Sequence, residues 1–247
     1  MDIPPPAPLN AVSTAHRRLT AVAECLLCSS VPTQLLLQVF WLQSGFASQT
    51  DDGVPALSFV VTVSLADTLL LIVLMVLLTR AHGESVASLW IGRRSIGKEA
   101  ILGLSLVPAV FMLVVVLLNV MQAYAPWLHN VPANPLEQLA TGGAVNAALF
   151  AVVAIFAGGV REELQRAFLL RRFEQHLGGP IVGVIVLSVL FGAGHFVQGW
   201  DAMIATGTLG VFWSLLYVAR RSSIAPIVSH AGFNSLEVLR AAIGGGA

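Results

Sequence analysis

GAVNAALFAVVAIFAGGVREELQRAFLLRRFEQ, residues 143–175, decides what kind of molecule this is. Its first half is almost unbroken apolar sequence. Arg161-Glu162-Glu163 interrupts it, AFLL resumes it, and Arg171-Arg172 closes it. The run exceeds the roughly 20 residues that a helix needs to cross hydrocarbon. It is continuous rather than alternating, which predicts a membrane helix and not a barrel strand. Charges in the middle of such a helix need a reason to be there.

Working outward, comparable runs lie near 20–46, 56–79, 100–124, 180–197, 202–219 and 223–241. With the quoted stretch they predict an all-α fold, a polytopic membrane helix bundle of about seven (6–8) transmembrane helices. Composition agrees. Of 247 residues, 56% are hydrophobic and 11% charged, and mean hydropathy is +0.82. A soluble domain carries about 25% charged residues. This chain has less than half of that, so its surface must face the lipid bilayer. Thirteen basic residues balance 13 acidic ones, and no basic footprint for nucleic acid remains. Cys25 and Cys28, within ECLLCSS, have no second pair and read as small core residues rather than a zinc or disulfide site.

Three regions follow: a proline-rich disordered tail at 1–19, N-terminal transmembrane helices at 20–142, and a core at 143–241 that holds the chemistry. The tail lacks a secretory-signal layout, because Arg17-Arg18 come late and no clear cleavage site follows the long apolar run. Arg17, Arg18, Arg80, Arg93, Arg94, Lys98, Arg171, Arg172, Arg220 and Arg221 cluster at alternate span ends, while the opposite loops carry Asp51, Asp52, Glu137 and Asp201. The positive-inside rule then places the N-terminus in the cytoplasm, with the cytoplasmic membrane of a bacterium as the expected location. Arg240 is the one basic residue against this scheme. Loop 81–99 has room for a short interfacial helix. No internal repeat supports an inverted-repeat transporter.

Depth identifies the residues that gather. Gly178-Gly179-Pro180 forms a turn, with Glu162 about sixteen residues before it and His195 about sixteen after it. In an antiparallel hairpin both then sit roughly 24 Å from the turn, facing each other inside the bilayer. His230 and Asn234, four apart in the last span, share one helix face. A charge at the bilayer centre costs about 2.5–3.5 kcal/mol on the mild insertion scale. Glu162 and Arg166, four apart, are expected to pair and reduce that cost. A structural ion pair needs one acid and one base, and would not explain Glu163 or the two histidines. Asp67, in the second span, reads as a hydrogen-bonding residue facing the bundle. His16, His82, His129 and His176 are expected to be solvated. Trp41, Trp90, Trp127 and Trp200 are expected to anchor at the interfaces.

A carboxylate stripped of water holds a proton more firmly, which suits it to general-base catalysis on water. One histidine can orient that water or protonate a leaving amine. His230 and Asn234 can donate to a developing oxyanion. A second possibility is a divalent metal such as zinc on Glu162, His195 and His230, although no HExxH pair is present. Otherwise no cofactor is expected.

Glu162-Glu163 followed by Arg166, Phe191-x-x-x-His195, and His230-x-x-x-Asn234 resemble, in order, three motifs of the CAAX-protease and bacteriocin-processing (CPBP, or Abi) intramembrane endopeptidases. The resemblance covers about residues 143–240. It implies an all-helical membrane protease with a cavity open toward the cytosol and a protein or peptide substrate, prenylated in the eukaryotic branch. By motif position Glu162 is the water-activating glutamate with Glu163 beside it. His195 is the second-motif histidine, His230 and Asn234 are the oxyanion pair, and Arg166 and Phe191 support them. The family spaces its arginine five residues after the first glutamate, whereas Arg166 follows Glu162 by four. Either one residue has been lost, or Arg161 stands in the first glutamate's place; the matched depth of Glu162 and His195 favours the loss. Two other readings compete: a non-catalytic membrane scaffold or immunity protein of the same fold, and a proton-coupled carrier using Glu162, Glu163 and His195 as a relay.

Overall fold

The computed structural model describes residues 13–50, 53, 55–132 and 134–244; Asp51, Asp52 and residues 1–12 of the expected tail lie outside them. Helix α1, Thr14–Leu27, starts where the Ser13 hydroxyl accepts from the backbone N–H of His16 at 3.2 Å. A serine cap offsets an orphan donor of the first turn, so the helix begins before the expected end of the tail at residue 19. Helix α2, Val31–Gln43, follows after a break at which Ser30 takes φ +70°. Pro32, in its first turn, needs no N–H partner there.

Among the described residues five segments are long and apolar enough to cross a membrane: Thr14–Gln43, Leu57–Ala81 (α3), Ile96–Tyr124 (α5), Ala144–His176 and Trp200–Arg220 (α10). The chain is thus a multi-pass integral membrane protein. The other two expected spans are helical but differ in kind. Pro180–Ala193 (α9) has 14 residues, about 21 Å at the α-helical rise, which is short of the bilayer core. Ile224–Gly244 (α11) carries His230, Asn234, Glu237 and Arg240 and is too polar to qualify by hydropathy. In the loop at 81–99, Val86–Trp90 (α4) forms the expected short helix, capped by Ser85.

Segment 144–176 is not one regular helix. Ala144–Val153 (α7, after a short α6 at Gln138–Thr141) runs into a π-helical stretch, Ala154–Arg161, which returns to α geometry as α8, Glu162–His176. The π stretch holds Gly158 and Gly159. A Cβ on Gly159 would lie 2.6 Å from the Ala231 Cβ and 2.9 Å from the Ala231 backbone nitrogen. Their bare backbone lets α11 approach closely. α11 packs along α5 and against this stretch, and α10 packs along α9. The α8–α9 turn has Gly178 and Gly179 at φ +101° and +97°, which residues with a Cβ rarely adopt.

One apolar cluster, including Leu71, Met75, Phe168, Leu170 and Val184, fills the end of the bundle where the basic residues gather. A second, around Val110, Val114, Leu209 and Trp213, lies beside the charged residues. At the basic end Arg172 is 1% exposed and pairs with Glu24 at 2.7 Å and Glu84 at 3.3 Å. The histidines expected in water divide. His82 pairs with Glu24 and His129 with Asp201, His176 is half-buried and His16 is exposed. Trp127 and Trp200 are exposed, but Trp90 is buried and donates to the Leu164 carbonyl at 3.1 Å, so it belongs to the core. Cys25 and Cys28 are free thiols, with Cys28 fully buried.

Candidate active site

Consecutive residues on a helix point about 100° apart, and Glu162 and Glu163 face different surroundings accordingly. Glu163 turns into the bundle, 1% exposed, where Arg166 Nε donates to its two oxygens at 3.1 and 3.3 Å and His230 Nδ1 lies 2.9 Å from Oε1. Arg166 also donates to the Gly210 carbonyl and the Ser214 hydroxyl, each at 3.4 Å, and lies over the Phe191 ring at 4.6 Å. The expected Glu162–Arg166 pair is therefore not formed. Arg166 uses the alternative same-face spacing of three, because its other acceptors on α10 lie on that side. Glu162 instead turns to a cavity, its side chain 18% exposed, held by Arg161 Nη2 at 3.1 Å.

Hydrogen bonds orient both histidines. As the carboxylate partner of Arg166, Glu163 only accepts, so Nδ1 of His230 carries a proton toward it. The opposite ring nitrogen, Nε2, is 4.0 Å from Glu162 Oε2. Trp213 stacks flat on the His230 ring, centroids 3.7 Å apart and planes 15° apart. The His195 ring is fixed likewise: Nδ1 donates to the Phe191 carbonyl, its only possible role opposite a carbonyl, at 2.8 Å. Phe191 also meets His195 and His230 edge-on at 5.0 and 6.2 Å. Both rings thus commit Nδ1 and keep Nε2 free. Asn234 donates one amide hydrogen to the Ala154 carbonyl at 2.9 Å, inside the π stretch, and keeps a second hydrogen and its oxygen.

Glu162, His195, His230 and Asn234 line one cavity of about 540 Å³ with Phe191, Trp213 and apolar side chains of α5, α7, α10 and α11. Glu163 and Arg166 lie behind its wall. The three residues considered as metal ligands, Glu162, His195 and His230, share the cavity, but no three His, Cys, Asp or Glu side chains among the described residues converge closely enough for one ion. One nitrogen of His230 is moreover already committed to Glu163. The polar rim of the cavity comes from Asn134, Glu137, Gln198 and Arg240, at the end bearing the acidic loops. A cavity open toward the cytosol and an N-terminus in the cytoplasm therefore do not fit together in this chain.

Sequence reasoning missed two parts of the site. Trp213 lies in a continuous apolar helix, where nothing separates a ring that supports a histidine from a core ring. From the sequence, Arg161 enters only as a residue that stands in the first glutamate's place if the register is shifted. It donates to Ser30, to Gln165 at 3.3 Å and to Glu162, and lies 3.8 Å from Asp67, which in turn accepts from Thr33 and Gln34. Asp67 thus faces the bundle as expected. The interrupted first span and α3 hold the arginine that holds Glu162.

No curated protein and no solved structure matches the chain significantly. A family model does: residues 144–236 match the one described as type II CAAX prenyl endopeptidase Rce1-like, the segment in which the two glutamates, His195, His230 and Asn234 come together. Residues 144–236, less than half of the chain, are thus similar to an Rce1-like CAAX endopeptidase domain, and Glu162, His195, His230 and Asn234 all fall within the matched segment.

Proposed function

We propose that the protein hydrolyses a peptide bond of a membrane-associated protein, with Glu162 activating the water. The observation that carries this reading is the division of labour between adjacent glutamates: Glu163 is saturated by Arg166 and His230, while Glu162 opens on the cavity shared with His195, His230 and Asn234. A water between Glu162 and His195 gives a proton to the Glu162 carboxylate as its oxygen attacks the scissile carbonyl carbon. Nε2 of His195 accepts from the same water and orients it. The carbonyl oxygen, now negative, receives the second amide hydrogen of Asn234. It also receives Nε2–H of His230 in its doubly protonated form, whose charge lies between Glu162 and Glu163. Collapse of the tetrahedral intermediate breaks the C–N bond, and the proton held by Glu162 passes to the leaving amine. Glu163, Arg166 and Trp213 hold His230 in place.

The name of the matched family carries a prenylated C-terminal tail as one substrate class, and the apolar cavity wall suits apolar substrate groups generally. Glu162→Ala and His195→Ala are expected to remove cleavage without unfolding the protein. New protein N-termini in native membranes, compared between wild type and each variant, check this, with monodispersity in detergent as the folding control. Full cleavage by either variant would overturn that residue's role.

A further inference from the structure

We propose that the site is entered from the non-cytoplasmic face, so that its substrate is a polypeptide segment presented at the outer surface of the membrane. The inference deepens the peptidase reading and rests on it. It comes from two independent facts: where the cavity lies along each helix, and where the charges lie.

Every element contributes to the cavity from the same end. Leu118 comes from late in α5, Phe150 from early in the segment Ala144–His176, Ala202 from early in α10 and Ala241 from late in α11, while Asn134 and Gln198 belong to connections at that end. No lining residue comes from the loop at 81–99, the α8–α9 turn or the start of α11. That opposite end is closed by the Leu71, Met75 and Phe168 cluster, by the buried ion pair Arg172–Glu24 and by the half-buried pair Arg220–Glu99, whose carboxylate is buried. The mouth is wet. The Glu137, Glu237 and Arg240 side chains there are 40%, 30% and 51% exposed, and Arg240 bridges the two acids at 2.7 and 2.9 Å.

Of the 13 basic residues, Arg161 and Arg166 belong to the site and Arg240 to the mouth. The other ten lie at the closed end. The basic end of a membrane protein stays in the cytoplasm. Arg240, which ran against that rule in the sequence, is offset by the two glutamates it bridges. The closed end is therefore cytoplasmic and the mouth faces outward. A cavity of about 540 Å³ lies within the usual range for small-molecule pockets, roughly 300–1,000 Å³. With apolar walls and polar groups at floor and rim, it takes a short extended stretch of chain bearing apolar side chains. A lipid-modified tail in the cytoplasm would meet the sealed end.

Two measurements on the full-length protein in its native cell decide this. Gln138→Cys lies beside the mouth and Arg93→Cys at the closed end, both at exposed positions. A membrane-impermeant maleimide is applied to intact and to lysed cells, with wild type as the blank for Cys25 and Cys28. The expected result is at least tenfold labelling over the blank for Gln138→Cys in intact cells, and labelling of Arg93→Cys only after lysis. The reverse pattern overturns the proposal. In the second measurement, cleavage positions that disappear in Glu162→Gln are placed on the topology of their substrates. Positions outside the cytoplasm support the proposal. Positions in cytoplasmic tails overturn the entry side and leave the peptidase reading standing. No Glu162-dependent position at all overturns the peptidase reading and the substrate assignment with it, while the labelling still decides which way the mouth faces.

Discussion

A carboxylate inside a bilayer must be matched by donors or kept in contact with water, and the two adjacent glutamates meet that requirement differently. Glu163 is matched by Arg166 and His230; Glu162 keeps one donor, Arg161, and the cavity. Removing one partner of a buried ion pair costs about 3–5 kcal/mol, because the other charge stays behind. Arg166→Ala is thus expected to lower thermal stability in detergent by that order, with a clear drop in Tm. Glu162→Gln, which leaves Arg161 its other acceptors, is expected to melt close to wild type. Equal losses in the two variants would contradict the division of roles. The membership of this cluster was readable from the sequence, since charges and histidines are scarce in apolar runs and therefore conspicuous. Its pairing was not: spacings of three and four both put residues on one helix face, and only the acceptors on α10 decide between them.

At the scale of elements, the π-helical stretch Ala154–Arg161 joins the cavity wall to α11. Its two glycines separate folding from chemistry. A Cβ on Gly159 would meet the Ala231 backbone nitrogen at 2.9 Å, whereas one on Gly158 would meet only the end of the Asn234 side chain. Backbone cannot move aside cheaply. Overpacking of that kind typically costs about 1–3 kcal/mol, so Gly159→Ala is expected to destabilise the protein by that order and to shift α11. Gly158→Ala is expected to fold normally and to lose much of its cleavage rate, because Asn234 leaves its place. Melting curves and product formation by the two variants check the contrast. Nothing in a helical hydropathy pattern announces a π turn. Gly158-Gly159 reads equally well as a helix end, and the shortened spacing to Arg166 is the single hint that the geometry there is unusual.

At the scale of the whole molecule, the bundle has a sealed basic end held by ion pairs and an open acidic end. Hydropathy and turn chemistry predict seven helical segments and the hairpin at Gly178-Gly179; all seven are helical and the hairpin is present, but among the described residues only five segments are long and apolar enough to span. The shortness of α9 and the polarity of α11 were visible in the residues but hidden by reading each apolar run as a complete span. Which end holds the cavity was not readable, because it depends on how the helices splay. The Arg240 bridges at the mouth are exposed, and surface ion pairs contribute about 0–1 kcal/mol. Arg240→Ala is therefore expected to change stability by less than about 1 kcal/mol and to preserve cleavage, measured by melting and by product yield. A collapse of the fold would show that the mouth is a structural closure instead.

The claim on which the account turns is that Glu162 activates the water. The most direct test compares Glu162-dependent N-termini in native membranes carrying wild type or Glu162→Gln, normalised to folded protein. The account predicts that the products vanish in Glu162→Gln while its melting temperature stays near that of wild type. Undiminished cleavage by a folded Glu162→Gln protein would contradict it and assign the water to another residue.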